Sequence, residues 1–510
     1  MRKNKKGKIP SRSFGEGESH HAAGEPQVFS GPIFTRILPL LVLLAVAFQL
    51  GRTYRFAETD LWWNLATGRE IFAEHRIPTH DVFSFSPTLP TWHNHEWLTQ
   101  IVFFKVFMIW GPEGIVIFKT GLAVLTIALS AAGALALGAG AWTTSFFIML
   151  TAVGYYPSTS IRPQMFSYLF FAWFLFLWNR FPARSRWLWG LSLASMPLWV
   201  GFHGGFIVGL AILAVWSAGQ VIDRGWDEGK TYVFLVGACV AMACINPYGL
   251  NNWKFLVEGM RHDRSMFPEW NPVTFRWQSQ WPYFLTLILT AGALAASRLK
   301  RAWAEGAILL FTAFLGFERS RLTAFFVIAA WVFVPRHYES MLSAWSGNIQ
   351  PSLKKLGTGL SFAAVLYGLT CVFYSIDPTA FQWDWRLKVA ARTDSWHVSF
   401  PVDAIQYMKM ARLSGNVACP LAWGGFLLWE IPDRVKVSLD GRWDTVYPIG
   451  FIQENVDFQN GIHWEEFLEK YKPDMVLAFK GLTVDKGLSA KPGGWARVFE
   501  GVEGVLFIKR

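Results

Sequence analysis

Apolar residues fall along this chain in blocks of roughly 15–25, near the length a helix needs to cross a bilayer, separated by short polar stretches. The blocks lie at 34–50, 97–111, 114–138, 163–178, 187–202, 206–222, 231–245, 281–297, 302–317, 322–335 and 358–376, with a shorter one at 142–156. This pattern predicts an α-helical polytopic membrane protein. Lys and Arg concentrate in the first 32 residues and in the connectors Arg180 to Arg186, Arg224 to Lys230, Arg298 to Arg301 and Arg336 to Lys355. The positive-inside rule places these in the cytoplasm. The loops 52–96, 157–162, 203–205, 246–280 and 318–321 then share the opposite side, as does everything after 377. Counting 142–156 as a full span breaks this alternation. It is therefore expected to be re-entrant or half-embedded, leaving about eleven spans.

The polar ends of the chain read differently. Residues 1–32 carry five Lys and Arg near the start and then Ser, Gly, Glu and His without apolar periodicity, which predicts a disordered cytoplasmic tail. Ala45-Val46-Ala47 resembles a signal-peptidase site, but the apolar run leads into further spans, so the first block reads as an uncleaved anchor. Residues 33–380 form the membrane domain. Residues 395–510 predict a small α/β domain on the periplasmic side, with strands at 416–420, 435–440, 474–479, 495–500 and 504–509, and helices at 401–413, 423–430, 446–458 and 464–472.

Composition narrows the function classes. With 52% hydrophobic and 16% charged residues, a soluble reading would need unusually few surface charges. The net charge of +11 sits at the ends of apolar blocks, which argues for membrane topology and against nucleic acid as a partner. The four cysteines, Cys239, Cys244, Cys371 and Cys419, form no disulfide or metal-binding spacing. No glycine-rich nucleotide fingerprint is present, so the tail is not expected to bind NAD or ATP.

Candidate chemistry gathers in the first outer loop, 52–96. Spacing of Leu61, Trp62, Leu65, Ala66, Ile71 and Phe72 predicts a short amphipathic helix capped by Thr59 or Asp60, lying flat with Trp62 and Trp63 at headgroup depth. The same loop ends in Trp92-His93-Asn94-His95-Glu96-Trp97. Polar residues of the other loops on that side are Arg162, Gln164, His203, Asn246, Tyr248, Glu269, Glu318, Arg319 and Arg321.

Asp60-Leu61-Trp62-Trp63-Asn64-Leu65-Ala66-Thr67-Gly68-Arg69, Ile77-Pro78, Asp81-Val82-Phe83-Ser84-Phe85-Ser86 and His95-Glu96-Trp97-Leu98 resemble the first outer loop of a bacterial family of GT-C-type membrane glycosyltransferase homologues. Arg162-Pro163-Gln164-Met165-Phe166, His203-Gly204-Gly205-Phe206, Asn246-Pro247-Tyr248-Gly249, Trp423-Gly424-Gly425 and Asp440-Gly441-Arg442-Trp443-Asp444 are similar to later stretches of that family. The resemblance covers nearly the whole chain from about Phe34. It implies that the first outer loop supplies an acid to a cavity opening toward lipid, and that sugar comes from a polyprenyl-phosphate or polyprenyl-diphosphate carrier. Asp60 matches the family's catalytic carboxylate. The family's histidine after Trp-Trp is Asn64 here.

Glycosyl transfer from a lipid phosphate needs a base for the acceptor hydroxyl and positive charge beside the departing phosphate. Asp60 is the expected base, with Glu96 and His95 in support, and Arg162, Arg319 and Arg321 are the expected phosphate ligands. Trp63, His93, His203, Asn246 and Tyr248 complete the expected substrate contacts. Each has a structural alternative: a helix cap for Asp60, snorkelling for Arg162, a satisfied carbonyl for His203, a turn for Asn246 to Gly249. Glu318 is placed to neutralise one of the two following arginines. His93, His95 and Glu96 are a candidate set for a divalent metal, against polar packing or acceptor contacts; no other cofactor is expected. In the tail, Asp440 to Asp444 follows a strand, where α/β sheets place ligands. Glycan recognition and a structural turn with Arg442 bridging Asp440 and Asp444 are both open. The expected partners are a polyprenyl-linked sugar donor, membrane lipid, and a glycan, lipid or protein acceptor. A lipid-linked glycan flippase and a non-catalytic envelope scaffold are the rival readings.

Overall fold

A computed structural model describes residues 33–262, 264–265, 267–274, 277–345, 351–376, 378–379, 381–389, 399–490 and 493–510. The expected disordered tail, 1–32, lies outside them. The helical domain comprises α1 (Ile33–Thr53), α2 (Thr59–Glu74), α3 (Trp97–Ala136), α4 (Ala141–Thr151), α5 (Gln164–Arg180), α6 (Arg186–Phe202), α7 (Phe206–Arg224), α8 (Trp226–Met242), α9 (Asn251–Gly259), α10 (Trp277–Ala296), α11 (Trp303–Glu318), α12 (Thr323–Trp345) and α13 (Pro351–Ile376). Among the described residues, α3 and α7 are long and apolar enough to cross a membrane by length and composition. Large apolar side chains also point outward from the bundle, including Phe234, Ile288, Leu310 and Phe314. Helices apolar on their outer as well as inner faces suit lipid surroundings.

The centre of the bundle is α12, in which every residue from Ala324 to Pro335 is buried. Helix ends are fixed by specific donors and acceptors. Ser185 caps α6 by accepting from Trp187 N at 3.2 Å. Asp223, at the end of α7, accepts from Trp303 N and Ala304 N at 2.8 and 2.9 Å and so satisfies the free amides that open α11.

The block 142–156 packs within the helical bundle. It runs antiparallel along α12, with Gly140 N bound by Glu339, the Thr151 hydroxyl by the Trp331 indole and Gly154 against Val327, and its 3₁₀ continuation ends where Lys119 donates to the Thr159 carbonyl. Gly111, at φ 69° and ψ −166°, breaks α3 before Pro112. The portion before the break touches α2 and the tail, with Phe104 against Phe72 and both Phe104 and Phe107 against Trp429. It also touches the bundle, where Thr99 donates to the Phe202 carbonyl and Phe103 faces Phe166.

Helix α2 is also more enclosed than an interfacial helix. Leu61 to Gly68 are all buried. One side meets α3: a Cβ on Gly68 would lie 2.4 Å from the Gln100 carbonyl oxygen and 2.6 Å from Phe104 Cβ. The other side meets the tail, with Trp63 against Gly425 and Gly441. Gly68→Ala is accordingly expected to cost about 1–3 kcal/mol through overpacking, read as a lower midpoint of thermal unfolding in detergent.

The tail holds α14 (Val402–Met410), β1 (Gly415–Ala418), α15 (Leu421–Glu430), β2 (Val435–Val437), α16 (Ile449–Gln459), α17 (Trp464–Tyr471), β3 (Met475–Phe479), α18 (Thr483–Ala490), β4 (Trp495–Glu500) and β5 (Gly504–Lys509). The sheet order is β2-β1-β3-β5-β4, parallel across β2, β1 and β3 and antiparallel across β3, β5 and β4. Asp440 to Asp444 leaves β2 toward the helical domain. Arg442 is completely buried, held by Asp440 (2.7 Å) and by Asp81 of the first loop (2.5 Å), with its guanidinium over the rings of Trp92 and Phe83. The expected Arg442–Asp444 bridge is thus replaced by a bond between domains, and Asp444 is left to face the 251–274 loop.

Candidate active site

At the end of the bundle nearest the tail, four loops bring their ionisable groups together. Arg162, on the turn before α5, lies among three carboxylates: Nη1 is 2.5 Å from Glu269 Oε2, Nη2 is 3.1 Å from Glu58 Oε2 and Nε is 3.8 Å from Asp60 Oδ2. That Nε is buried and has no hydrogen-bond partner among the described residues. Glu58 is held in place by the Tyr54 hydroxyl. Asp60 stands in the first turn of α2 but does not cap it; Glu58 occupies the N-cap position, with no side-chain cap bond. Its carboxylate accepts from Trp63 Nε1 at 3.3 Å and remains 34% exposed.

Glu269 links Arg162 to Arg321, whose Nη1 is 3.5 Å from Glu269 Oε1. Beyond it, three guanidinium groups surround the Trp270 ring: Arg321 at 4.2 Å, Arg264 at 4.6 Å and Arg319 at 5.4 Å from its centroid. Asp444 of the tail pairs with Arg264 at 2.6 Å, and Arg319 donates to the Trp270 carbonyl at 3.2 Å. Glu318 is exposed and makes no ion pair among the described residues, so the expected neutralising acid is corrected to Glu269. Charge is thereby sorted along the cluster. Carboxylates exceed guanidinium at the Asp60 end, and guanidinium exceeds carboxylate around Trp270.

A third group lies beside these. Glu96 Oε1 is 3.7 Å from His95 Nε2 and 3.8 Å from His203 Nε2. Burial, reinforced by the nearby Asp60 charge, pushes the Glu96 carboxyl up to about 8. Burial drives His95 down to about 4 and His203 well below its usual value, the latter with help from Arg321. Burial also raises Asp60, against the pull of Arg162. Glu269 responds oppositely: Arg162 and Arg321 overcome its burial and hold it below the usual carboxylate range. Glu96 is thus protonated at pH 7 and ionises as pH rises through about 8. If turnover requires the neutral form, its rate should fall above that pH, and Glu96→Gln should remove this alkaline limb from a kcat/KM profile.

The remaining expected residues are held by contacts within the protein. Trp63 is buried between Asp60 and the tail, where it orients the carboxylate. His93 stacks on Phe255 at 4.9 Å and lies against Tyr248 at 4.5 Å. The Tyr248 hydroxyl accepts from Asn94 N at 3.0 Å, tying the first loop to the loop after α8. Asn246 closes its own turn by donating to the Ala243 and Gly249 carbonyls. Asn64, buried in α2, donates to the Asp60 backbone carbonyl. Among the described residues no group of three His, Cys, Asp or Glu side chains is placed to hold a metal. Glu58, Asp60 and Glu269 instead surround the Arg162 guanidinium, a cation that already occupies their centre. Glu58, Arg264 and Trp270 were not singled out in the sequence, nor was Asp444 as the partner of Arg264, because each acts through a partner at least a hundred residues away or through a ring stacked from another loop. A separate cavity of about 600 Å³, lined by Trp62, Phe107, Pro112, Ile405 and Phe426, shares none of the charged site residues.

Neither a family model nor a curated protein matches the sequence. Solved structures do match. The oligosaccharyltransferase of Archaeoglobus fulgidus, solved with a tethered acceptor peptide containing the NVT sequon, aligns with a TM-score of 0.55 over 92% of this chain and 74% of its own, at 12% identity. ArnT from Cupriavidus metallidurans, in the apo state, aligns with a TM-score of 0.52 over 92% of this chain and 97% of its own, at 13% identity. Both are GT-C glycosyltransferases, and the present chain has the GT-C fold.

Proposed function

We propose that this GT-C fold serves an integral membrane glycosyltransferase that moves a hexose or pentose from a polyprenyl-phosphate-linked donor to an envelope glycan, lipid or protein at the periplasmic face of the inner membrane. The observation that carries the reading is the charge-sorted cluster: a partly exposed carboxylate, Asp60, 3.8 Å from Arg162, joined through Glu269 to the guanidinium groups around Trp270. In the transfer, the acceptor oxygen forms a bond to the anomeric carbon while its proton passes to Asp60. The bond from that carbon to the phosphate oxygen breaks, and its electron pair stays on the phosphate. Arg321, Arg319 and Arg264 face the charge that develops there. Arg162, whose Nε has no hydrogen-bond partner, stands between the two ends and orients Asp60.

The test is a transfer assay with purified full-length protein, radiolabelled polyprenyl-phosphate sugar and envelope extract as acceptor. The reading expects label to leave the lipid in the presence of wild type and to remain on it with Asp60→Asn. A flippase would leave the glycosidic linkage intact while moving the lipid between leaflets, and a scaffold would do neither. Either outcome ends the proposal.

A further inference from the structure

His203 is held in one tautomer by its surroundings. It follows α6 in extended conformation, and its Nδ1 receives the Gly205 backbone N–H at 3.0 Å. The same nitrogen is 2.8 Å from Ser167 Oγ. That oxygen already accepts from the Trp199 indole N–H at 2.9 Å, and an indole nitrogen is a donor only. The Ser167 proton therefore points to His203 Nδ1. With two donors aimed at Nδ1, the neutral ring carries its hydrogen on Nε2, the atom that faces Glu96. The two glycines of His203-Gly204-Gly205 follow from this arrangement. A Cβ on Gly205 would sit 2.5 Å from Ser167 Oγ and 2.8 Å from His203 Nδ1, and one on Gly204 would be 3.0 Å from Leu256 Cδ2 and 3.3 Å from His95 Cδ2.

His95 shows the reverse polarity. Its Nδ1 faces the His93 carbonyl, which only accepts, so the hydrogen lies on Nδ1 and the Nε2 lone pair faces Glu96. Glu96 itself is 9% exposed and makes no hydrogen bond to a side chain among the described residues. Its carboxyl thus has the His203 N–H on one side at 3.8 Å and the His95 ring nitrogen on the other at 3.7 Å, each about 0.5 Å beyond hydrogen-bond range. A buried acid with its partners just out of reach calls for a guest that both donates and accepts. A hydroxyl group does both. A phosphate only accepts at neutral pH, and the neighbouring arginines suit it better.

We propose that His203, Glu96 and His95 form a subsite for hydroxyl groups of the transferred sugar, separate from the arginine cluster around Trp270 that takes the phosphate. This rests on the donor reading above. The subsite presents a single N–H, a single lone pair and a carboxyl between them. It therefore selects an uncharged, hydroxyl-bearing sugar ring over one carrying an ammonium or carboxylate at that position.

Full-length protein in nanodiscs, titrated with bare undecaprenyl phosphate and with its glucosyl and mannosyl esters, separates the two ideas. His203→Ala and Glu96→Leu are expected to weaken the better-bound ester by about tenfold or more and to leave the bare phosphate within about twofold. Arg321→Ala should weaken all three lipids. His203→Gln, which returns an N–H near the Nε2 position, should restore part of the ester's affinity, and Glu96→Gln should bind the ester better than Glu96→Leu. Ser167→Ala, which removes one of the two donors to Nδ1 but keeps the ring and the Gly205 N–H, should show a smaller loss than His203→Ala. Equal weakening of bare and glycosylated lipid by His203→Ala would make the cluster part of the phosphate site, and no change in either would make it purely structural; each overturns the subsite. Wild type binding bare phosphate but neither ester more tightly also overturns it and leaves the phosphate site standing. Wild type binding none of the three lipids removes the donor reading, and the subsite with it.

Discussion

Asp60→Asn should lower kcat by about 10²–10⁴-fold while leaving the fold intact. The substitution keeps the volume of the side chain and an oxygen to accept from Trp63 Nε1, so the packing of α2 between α3 and the tail is undisturbed. It removes the group that takes the acceptor's proton. Because Asp60 contacts the reacting oxygen only as that proton leaves, the loss should fall on kcat more than on KM. Arg162→Ala should behave differently. It strips a shared counter-ion from Glu58, Asp60 and Glu269, leaving three carboxylates facing one another. Activity should vanish and the thermal midpoint should fall, by less than for a fully buried pair because Arg162, Asp60 and Glu269 keep part of their surface in water. Parallel measurement of turnover and thermal midpoint distinguishes the two. A normal rate with Asp60→Asn, in protein of normal midpoint, would end its assignment as base.

Arg442→Leu should be the most destabilising single change in the tail, also by about 3–5 kcal/mol. The guanidinium has no exposed surface and pairs with Asp440 and Asp81, both almost fully enclosed. Removing it leaves two carboxylates without water or counter-ion. Combining it with Asp81→Asn and Asp440→Asn should recover a large part of the loss, since amides carry no charge to bury. The pair also carries a pH signature. Burial opposes the charged form of Asp81, but Arg442 overcomes it and holds its pKa below the ordinary value. A depressed folded-state pKa means that stability is fully present above the unfolded value of about 3.9 and is lost as pH falls through the folded value. Wild type should therefore weaken in acid below about pH 4, and that portion of the acid response should be missing from the Arg442→Leu variant. Unfolding followed across the range pH 3 to 7 checks both; an unchanged acid limb would place the linkage elsewhere.

How much of this site was legible in the sequence depended on the kind of residue. Asp60 and Arg162 stood out because a carboxylate or guanidinium at the edge of an apolar block is expensive unless it has work or a partner. Glu269 stood out for the same reason but gave no hint that it, and not Glu318, would pair with the arginines. Glu318 is the immediate neighbour of Arg319 in sequence, yet its side chain at the end of α11 is exposed, whereas Glu269 arrives from another loop. Asp440 and Arg442 were recognised as a turn, but Asp81 as their partner was not, since nothing local pairs residues more than three hundred positions apart.

The sequence by itself determined the class of the molecule: apolar blocks of membrane length, a polar first loop bearing an acid beside tryptophans, and an alternating strand pattern that became the tail's five-stranded sheet. Those features are local, because transfer from water and the two periodicities act on neighbouring residues. Only the tertiary structure decided what each apolar segment packs against, and which carboxylate meets which guanidinium. Burial and ion pairing depend on what packs opposite a residue, and that partner comes from a remote part of the chain.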